Sequence, residues 1–256
     1  MRAAVRSFSL LLVLAAAGCS GNNDALPGNV ANPDRFLYER GTTALAERRW
    51  GNAREYFRQV VDNYPESPLR PDAKLGVGDS FFGEKSTESL VLAAAEYSEF
   101  RTFYPTNPRA DYAQYRLGMT HFEQMRAPQR DQTETEAALQ AFQTFFELHP
   151  TSALLPEVRE KWREARDRLS EAEYLVGLHY FRMRWYPGAI PRFRSVLEDD
   201  PTYNGRDHVY FYLAESFARS DNKAEAIPYF ERLLAEFEQS ERLEEAGKRL
   251  AELQAQ

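Results

Sequence analysis

An alanine, a large aromatic ring four residues later and a helix-ending residue eight beyond the ring recur five times along this chain. The sets are Ala53/Phe57/Pro65, Ala93/Tyr97/Pro105, Ala138/Phe142/Pro150, Ala189/Phe193/Pro201 and Ala226/Phe230/Glu238. A four-residue step stacks the small residue and the ring one turn apart on a single helix face. Alanine lets a neighbouring helix approach closely, and the ring fills the gap beside it. Proline has no amide hydrogen and disfavours helical geometry in the residue before it, so it closes a unit; Glu238 stands in its place in the last one. In three units a further small residue, Gly41, Gly177 or Ala214, lies twelve positions before the alanine. That spacing predicts paired helices repeating about every 34 residues, a helical solenoid.

The expected fold is all-α: a tetratricopeptide-like solenoid of five helix-turn-helix repeats with a C-terminal capping helix. The repeats fall at about 34–68, 69–108, 109–152, 153–203 and 206–240, and the cap at 241–254. About 220 residues would be large for one compact core, but are ordinary where each unit packs only on its neighbours. Before the repeats, Arg2 and Arg6 precede the apolar run 10–14 and the small residues 15–18, as in a secretory signal peptide covering 1–18, too short to span a membrane. Cys19 is the single cysteine, so no intramolecular disulfide can form. Its place after Ala-Ala-Gly resembles a bacterial lipobox, which predicts a lipoprotein: a covalent diacylglycerol and an N-acyl chain (palmitate in type) on Cys19. The other reading is an unmodified cysteine beside an ordinary cleavage site. Several acyl chains would hold the protein stably on a bilayer. Ser20, where aspartate would favour inner-membrane retention, points to the outer membrane. Residues 19–33, rich in Asn, Gly and Pro, read as a flexible tether. A net charge of −7 argues against nucleic acid as a partner.

Unit one is expected as helices over 34–48 and 51–64 with Trp50 and Gly51 at the turn; unit two turns around 83–86. Unit three carries a polar insertion over 125–136 that lengthens its inner loop by about eight residues relative to the regular unit. Such an insertion is either a binding elaboration or a neutral loop. An apolar series, Leu155, Val158, Trp162, Ala165, Leu169, Ala172, Val176, Tyr180 and Met183, keeps steps of three and four and predicts one continuous helix over about 156–183. The mixed charges on its other face read as a solvated surface of spaced ion pairs. Shorter helices are expected over 187–198 and, as the cap, 241–253.

The sequence offers no catalytic constellation. His121, His149, His179 and His208 lie in different units, outside any HExxH or other metal-ligand spacing. No glycine-rich phosphate loop and no GxSxG elbow is present. The acid pairs Glu244-Glu245 and Asp199-Asp200 read as solvated charge. The expectation is a protein that is not an enzyme and needs neither metal nor cofactor beyond its lipid.

Several segments together resemble the BamD family of outer-membrane assembly lipoproteins. They are residues 64–68 (Tyr-Pro-Glu-Ser-Pro), 105–115 with Gly118, Arg130-Asp131-Gln132 in the insertion, and Asp167-Arg168-Leu169 with Glu173-Tyr174-Leu175-Val176 and Tyr180-Phe181. The resemblance covers most of 34–240. It implies five repeats, an N-terminal lipid, the periplasmic face of the outer membrane, and membership of the β-barrel assembly (BAM) complex. It further implies that the C-terminal repeats dock on the periplasmic POTRA domain of a BamA-like barrel-forming subunit. By the match around Ala189-Ile190-Pro191-Arg192-Phe193, Arg192 resembles the arginine that family members place at this interface, which makes it the expected partner-binding residue. The N-terminal repeats would receive unfolded outer-membrane proteins in a groove for which Tyr38, Phe81 and Tyr112 are candidates; core packing is their other reading. Other assembly lipoproteins are further possible partners. The chain departs from the family pattern at Pro187, Pro191, Pro228 and Glu238. The alternative is another periplasmic repeat lipoprotein, acting in pilus assembly or in cell-division and cell-wall coordination.

Overall fold

The computed structural model describes residues 31–255. The expectations for the signal segment, for Cys19 and for most of the tether lie outside them. Eleven helices and no strand occur among the described residues: α1 (Pro33–Ala46), α2 (Trp50–Asn63), α3 (Arg70–Glu84), α4 (Thr87–Phe103), α5 (Ala110–Phe122), α6 (Thr133–Leu148), α7 (Leu155–Arg182), α8 (Tyr186–Asp199), α9 (Arg206–Arg219), α10 (Lys223–Glu236) and α11 (Leu243–Gln254). From α2 onward each helix packs chiefly on the next in chain order, and α1 lays Tyr38 on Phe57 of α2 at 5.7 Å between ring centres. The fold is a tetratricopeptide-like array of five helix pairs closed by α11.

The repeated alanine and ring form the spine of this array. All five alanines are fully buried, and the rings Phe57, Tyr97, Phe142, Phe193 and Phe230 are at most 2% exposed. Each of four rings presses on a glycine of a neighbouring helix. A Cβ at Gly41 or Gly76 would lie 2.7 or 2.6 Å from Phe57, and one at Gly118 only 2.4 Å from Phe142; Gly177 meets Phe193 in the same way. Gly78 meets Tyr97. Unit two therefore places its small residue fifteen positions before Ala93, because both of its helices run further past the contact, and unit three twenty before Ala138, because the loop between its helices is longer.

Both kinds of turn repeat in detail. The residues after α2, α4, α6, α8 and α10 share one backbone geometry, φ between −128° and −138° and ψ between 52° and 77°. A following proline favours that extended φ, yet Phe237 before Glu238 adopts it as well, so proline is not required. In three of the five turns a serine hydroxyl adds a tie. Ser67 donates to Asp34 at 2.6 Å, Ser152 to Asp111 at 2.6 Å and Ser240 to Asp207 at 2.5 Å, each linking a turn to the first turn of the helix that opened the unit. At the other edge, Arg48, Lys85, Arg184 and Asp221 sit at φ 58–61°. That is the left-handed position of a helix C-terminal motif, filled here without glycine.

Three sequence expectations are corrected. Trp50 and Gly51 open α2 and do not form the turn. The insertion ends sooner than expected: residues 123–132 are the loop, and α6 has begun by Thr133. The apolar series on α7 is not one inward stripe. Val158 and Ala165 are buried where it predicts, but the buried set then continues as Ser170, Tyr174, Gly177 and Leu178. The step from Ala165 to Ser170 is five residues, so the core-facing side advances by one position as α7 leaves α6 for α8 and α9. Val176 and Met183 are consequently left exposed, at 37% and 68%.

Candidate functional site

Two surfaces gather the candidate residues. The first is formed by α1, α3 and α5. On α3, Asp72 and Asp79 are seven positions apart and so share a stripe; Arg109, at the residue before α5, does the same with Tyr112 and Arg116 on α5. The stripes meet. Arg109 pairs with Asp72 at 3.0 Å, with its guanidinium 4.8 Å from the centre of the Tyr112 ring. Asp79 Oδ1 accepts from the hydroxyls of Tyr97 at 2.6 Å and Tyr112 at 2.8 Å, and Arg116 Nε lies 3.2 Å from the same oxygen. Arg116 also covers the Phe82 ring at 3.7 Å. Burial, and next the Asp79 carboxylate, push the Tyr97 and Tyr112 phenols well above their usual value, so both stay protonated donors at neutral pH. Burial and then Asp72 push up the half-buried Tyr38 phenol, which also feels Arg109 and Asp79.

Tyr38 and Tyr112 thus border one charged strip. Phe81 does not join them. It lies two residues beyond Asp79, about 200° further round the helix, is buried, and is covered by Arg54 and Arg58 of α2 at 4.1 and 5.5 Å. The acidic and basic members of the strip went unnoticed in the sequence, although their seven-residue spacing on two helices was a readable signal.

The second surface is on α7 and α8. Arg192, half exposed, reaches Glu173 of α7 at 3.2 Å. It stands over a cleft of about 250 Å³ lined also by Arg166, Leu169, Ser195, Val196 and Asp199. A pair this exposed contributes about 1 kcal/mol or less, so Arg192 can exchange Glu173 for another carboxylate at little cost. Beneath the cleft the array is polar. The buried Asp200, which caps α8, accepts from Arg163 at 2.9 Å, Ser170 at 2.7 Å and Thr202 at 3.1 Å. Burial alone would raise the Asp200 carboxyl, but these donors outweigh it and hold it below the ordinary range.

The histidines are dispersed. His121 contacts Glu134 at 2.8 Å, His208 lies between Asp207 and Glu241, and burial holds His149 below its usual value. No group of three or more possible metal-ligating side chains occurs among the described residues. No described helix is long and apolar enough to cross a membrane. Both faces carry partly exposed charge pairs, Arg109–Asp72 and Arg192–Glu173, that can be exchanged.

Comparison with known proteins adds a family to this geometry. The family model YfiO, described as outer membrane lipoprotein, matches residues 30–226. The chain is 30% identical to an outer membrane protein assembly factor BamD of Caulobacter vibrioides, over 84% of this chain and 70% of that one. It is 24% identical to the factor of that name from Rickettsia prowazekii, over 86% of each chain, and 24% identical to that of Vibrio cholerae, over 72% of this chain and 78% of that one. With the match running through both candidate surfaces, the chain belongs to the YfiO family of outer membrane lipoproteins, the family of the assembly factor BamD.

Proposed function

We propose that this protein is a non-catalytic scaffold in the assembly of outer-membrane proteins. It is tethered through lipid on Cys19 at the periplasmic face of the outer membrane. Its α7–α8 face, centred on Arg192, docks on the barrel-forming subunit, and the strip between Tyr38 and Tyr112 holds extended segments of unfolded barrel proteins. The observation that carries this reading is the likeness to assembly factors along nearly the whole repeat array. The surfaces support it physically. A packed array presents contact area that is already ordered, so association loses little conformational freedom. The exchangeable pair at Arg192 lets an incoming carboxylate be met without stranding a buried charge. The half-exposed Arg109–Asp72 pair can open to hydrogen-bond a passing backbone, while Asp79 holds the neighbouring phenols in place.

Co-purification tests the docking. Tagged wild-type chain extracted in mild detergent is expected to bring the barrel-forming subunit with it, and Arg192→Glu to lose most of that yield while melting normally. Equal recovery with both proteins would show that Arg192 is not at the interface; no recovery with either would remove the proposed function.

A further inference from the structure

One strip of apolar side chains belongs to neither of the two hydrophobic cores, of which one runs from Leu37 to Val158 and the other from Tyr174 to Leu253. Because the buried side of α7 advances by one residue after Ala165, Val176 and Met183 emerge on the surface at 37% and 68% exposure. Trp185, at the head of α8, is 56% exposed beside them. Its position is nevertheless fixed. Its backbone amide donates to Tyr180 O at 2.9 Å, and its ring meets the Tyr180 ring edge-on at 4.9 Å. Gly188 leaves room for the indole, since a Cβ there would lie 2.7 Å from it. Exposed Arg182 and Arg184 flank Met183, and among the described residues neither guanidinium has an ion-pair partner. Arg192 follows Trp185 by seven positions, two turns along the same side of α8, and Glu173 precedes Val176 by three on α7.

We propose that Val176, Met183 and Trp185 are the apolar centre of the docking face whose polar edge is Arg192, and that they receive a partner surface with an apolar pocket rimmed by carboxylates. A tryptophan already held in one orientation loses little freedom on being covered. Tryptophan, methionine and arginine are also the side chains over-represented at the centres of protein interfaces. The two free arginines set the sign of the complementary rim. Anionic lipid would meet the same charges, but the apolar strip runs along α7 into the side chains around Arg192 and Glu173, and continuity with that cleft favours a protein. The inference rests on the docking reading for Arg192, and the experiment separates the two.

The full-length chain is titrated against the detergent-solubilised barrel-forming subunit as wild type, Trp185→Ala, Met183→Gln and Arg192→Glu, with thermal melting of each. Trp185→Ala is expected to bind roughly thirty-fold more weakly, the loss typical of a central aromatic anchor, and Met183→Gln several-fold more weakly, both with near-native melting. If Trp185→Ala melts early, the more exposed Met183 decides alone. Wild-type affinity for both apolar variants with loss for Arg192→Glu would overturn this inference and leave the docking reading standing. Wild-type affinity for all three would end both. Binding to vesicles of anionic phospholipid that depends on Trp185, with subunit affinity unchanged, would reassign the strip to the membrane and overturn the proposal.

Discussion

Phe57 is held between two glycines, with Gly41 on one side and Gly76 on the other, and so cannot retreat from either. A methyl group at Gly76 would overlap a ring that Gly41 backs closely. Overpacking of this kind costs about 1–3 kcal/mol, and Gly76→Ala is expected to lower stability to urea by that amount. Gly247, inside α11, has nothing within 4 Å of its missing Cβ. There the same exchange only relieves the conformational cost of glycine in a helix, and Gly247→Ala should raise stability by about 0.5–1 kcal/mol. Two gains or two losses would contradict the packing described. The alanine and ring of each repeat were legible in the sequence because a four-residue step lies within one helix and is indifferent to loops. Gly78 and Gly118 were not, because a twelve-residue spacing assumes constant helix and loop lengths, and unit two has longer helix ends while unit three has a longer loop. At the candidate strip, Tyr38 and Tyr112 could be read as helix-face residues. Their meeting with Asp72 and Asp79 depends on packing across three helices, which no spacing within one segment reveals. Of the two readings open for Phe81, the structure shows the core ring: it stands on the same helix as Asp72 and Asp79 but on another side of it.

At the scale of the element, α7 is the decisive piece. It runs 28 residues without a break, close to the length expected, because steps of three and four persist and no proline interrupts them. The rotation of its buried side was not legible. It follows from a change of neighbours, since one helix must serve α6 first and then α8 and α9. The joint is marked by polar contacts: Asp200 ties α7 to the turn after α8 through Arg163 and Ser170. Asp200→Asn should weaken this tie, and its pH dependence identifies it. The carboxyl lies below its unfolded value, so the unfolded chain binds the proton more readily as acid is added. Stability from this group is therefore present above the ordinary aspartate range and is lost as pH falls through the lowered folded value. Between about pH 5 and pH 3 the wild-type melting temperature should fall more steeply than that of Asp200→Asn. Asp34 and Asp207 are lowered too, so some slope remains in the variant. Parallel slopes would mean that Asp200 does not carry the effect.

Across the whole molecule, two hydrophobic cores are built on one helix. The first runs from Leu37 to Val158 and the second from Tyr174 to Leu253, with the Arg163–Asp200 contacts on α7 between them. Arrays of this kind open locally, because each unit is supported by its neighbours and not by a common centre. The proposed division of labour follows the same line: the substrate strip belongs to the first core, and the docking face begins where α7 joins the second. The helical array was legible because repetition multiplies a weak signal five times. The docking face was only half legible: Arg192 came through family likeness, while Trp185 and Met183 came from the apolar residues left over once α7 was packed. Hydrogen exchange on the full-length chain, with and without the barrel-forming subunit in detergent, tests the central claim most directly. The account predicts that exchange slows on binding across the second half of α7 and through α8, with α1 to α4 unchanged. Slowing confined to α1–α4, or absent from α7 and α8, would contradict it.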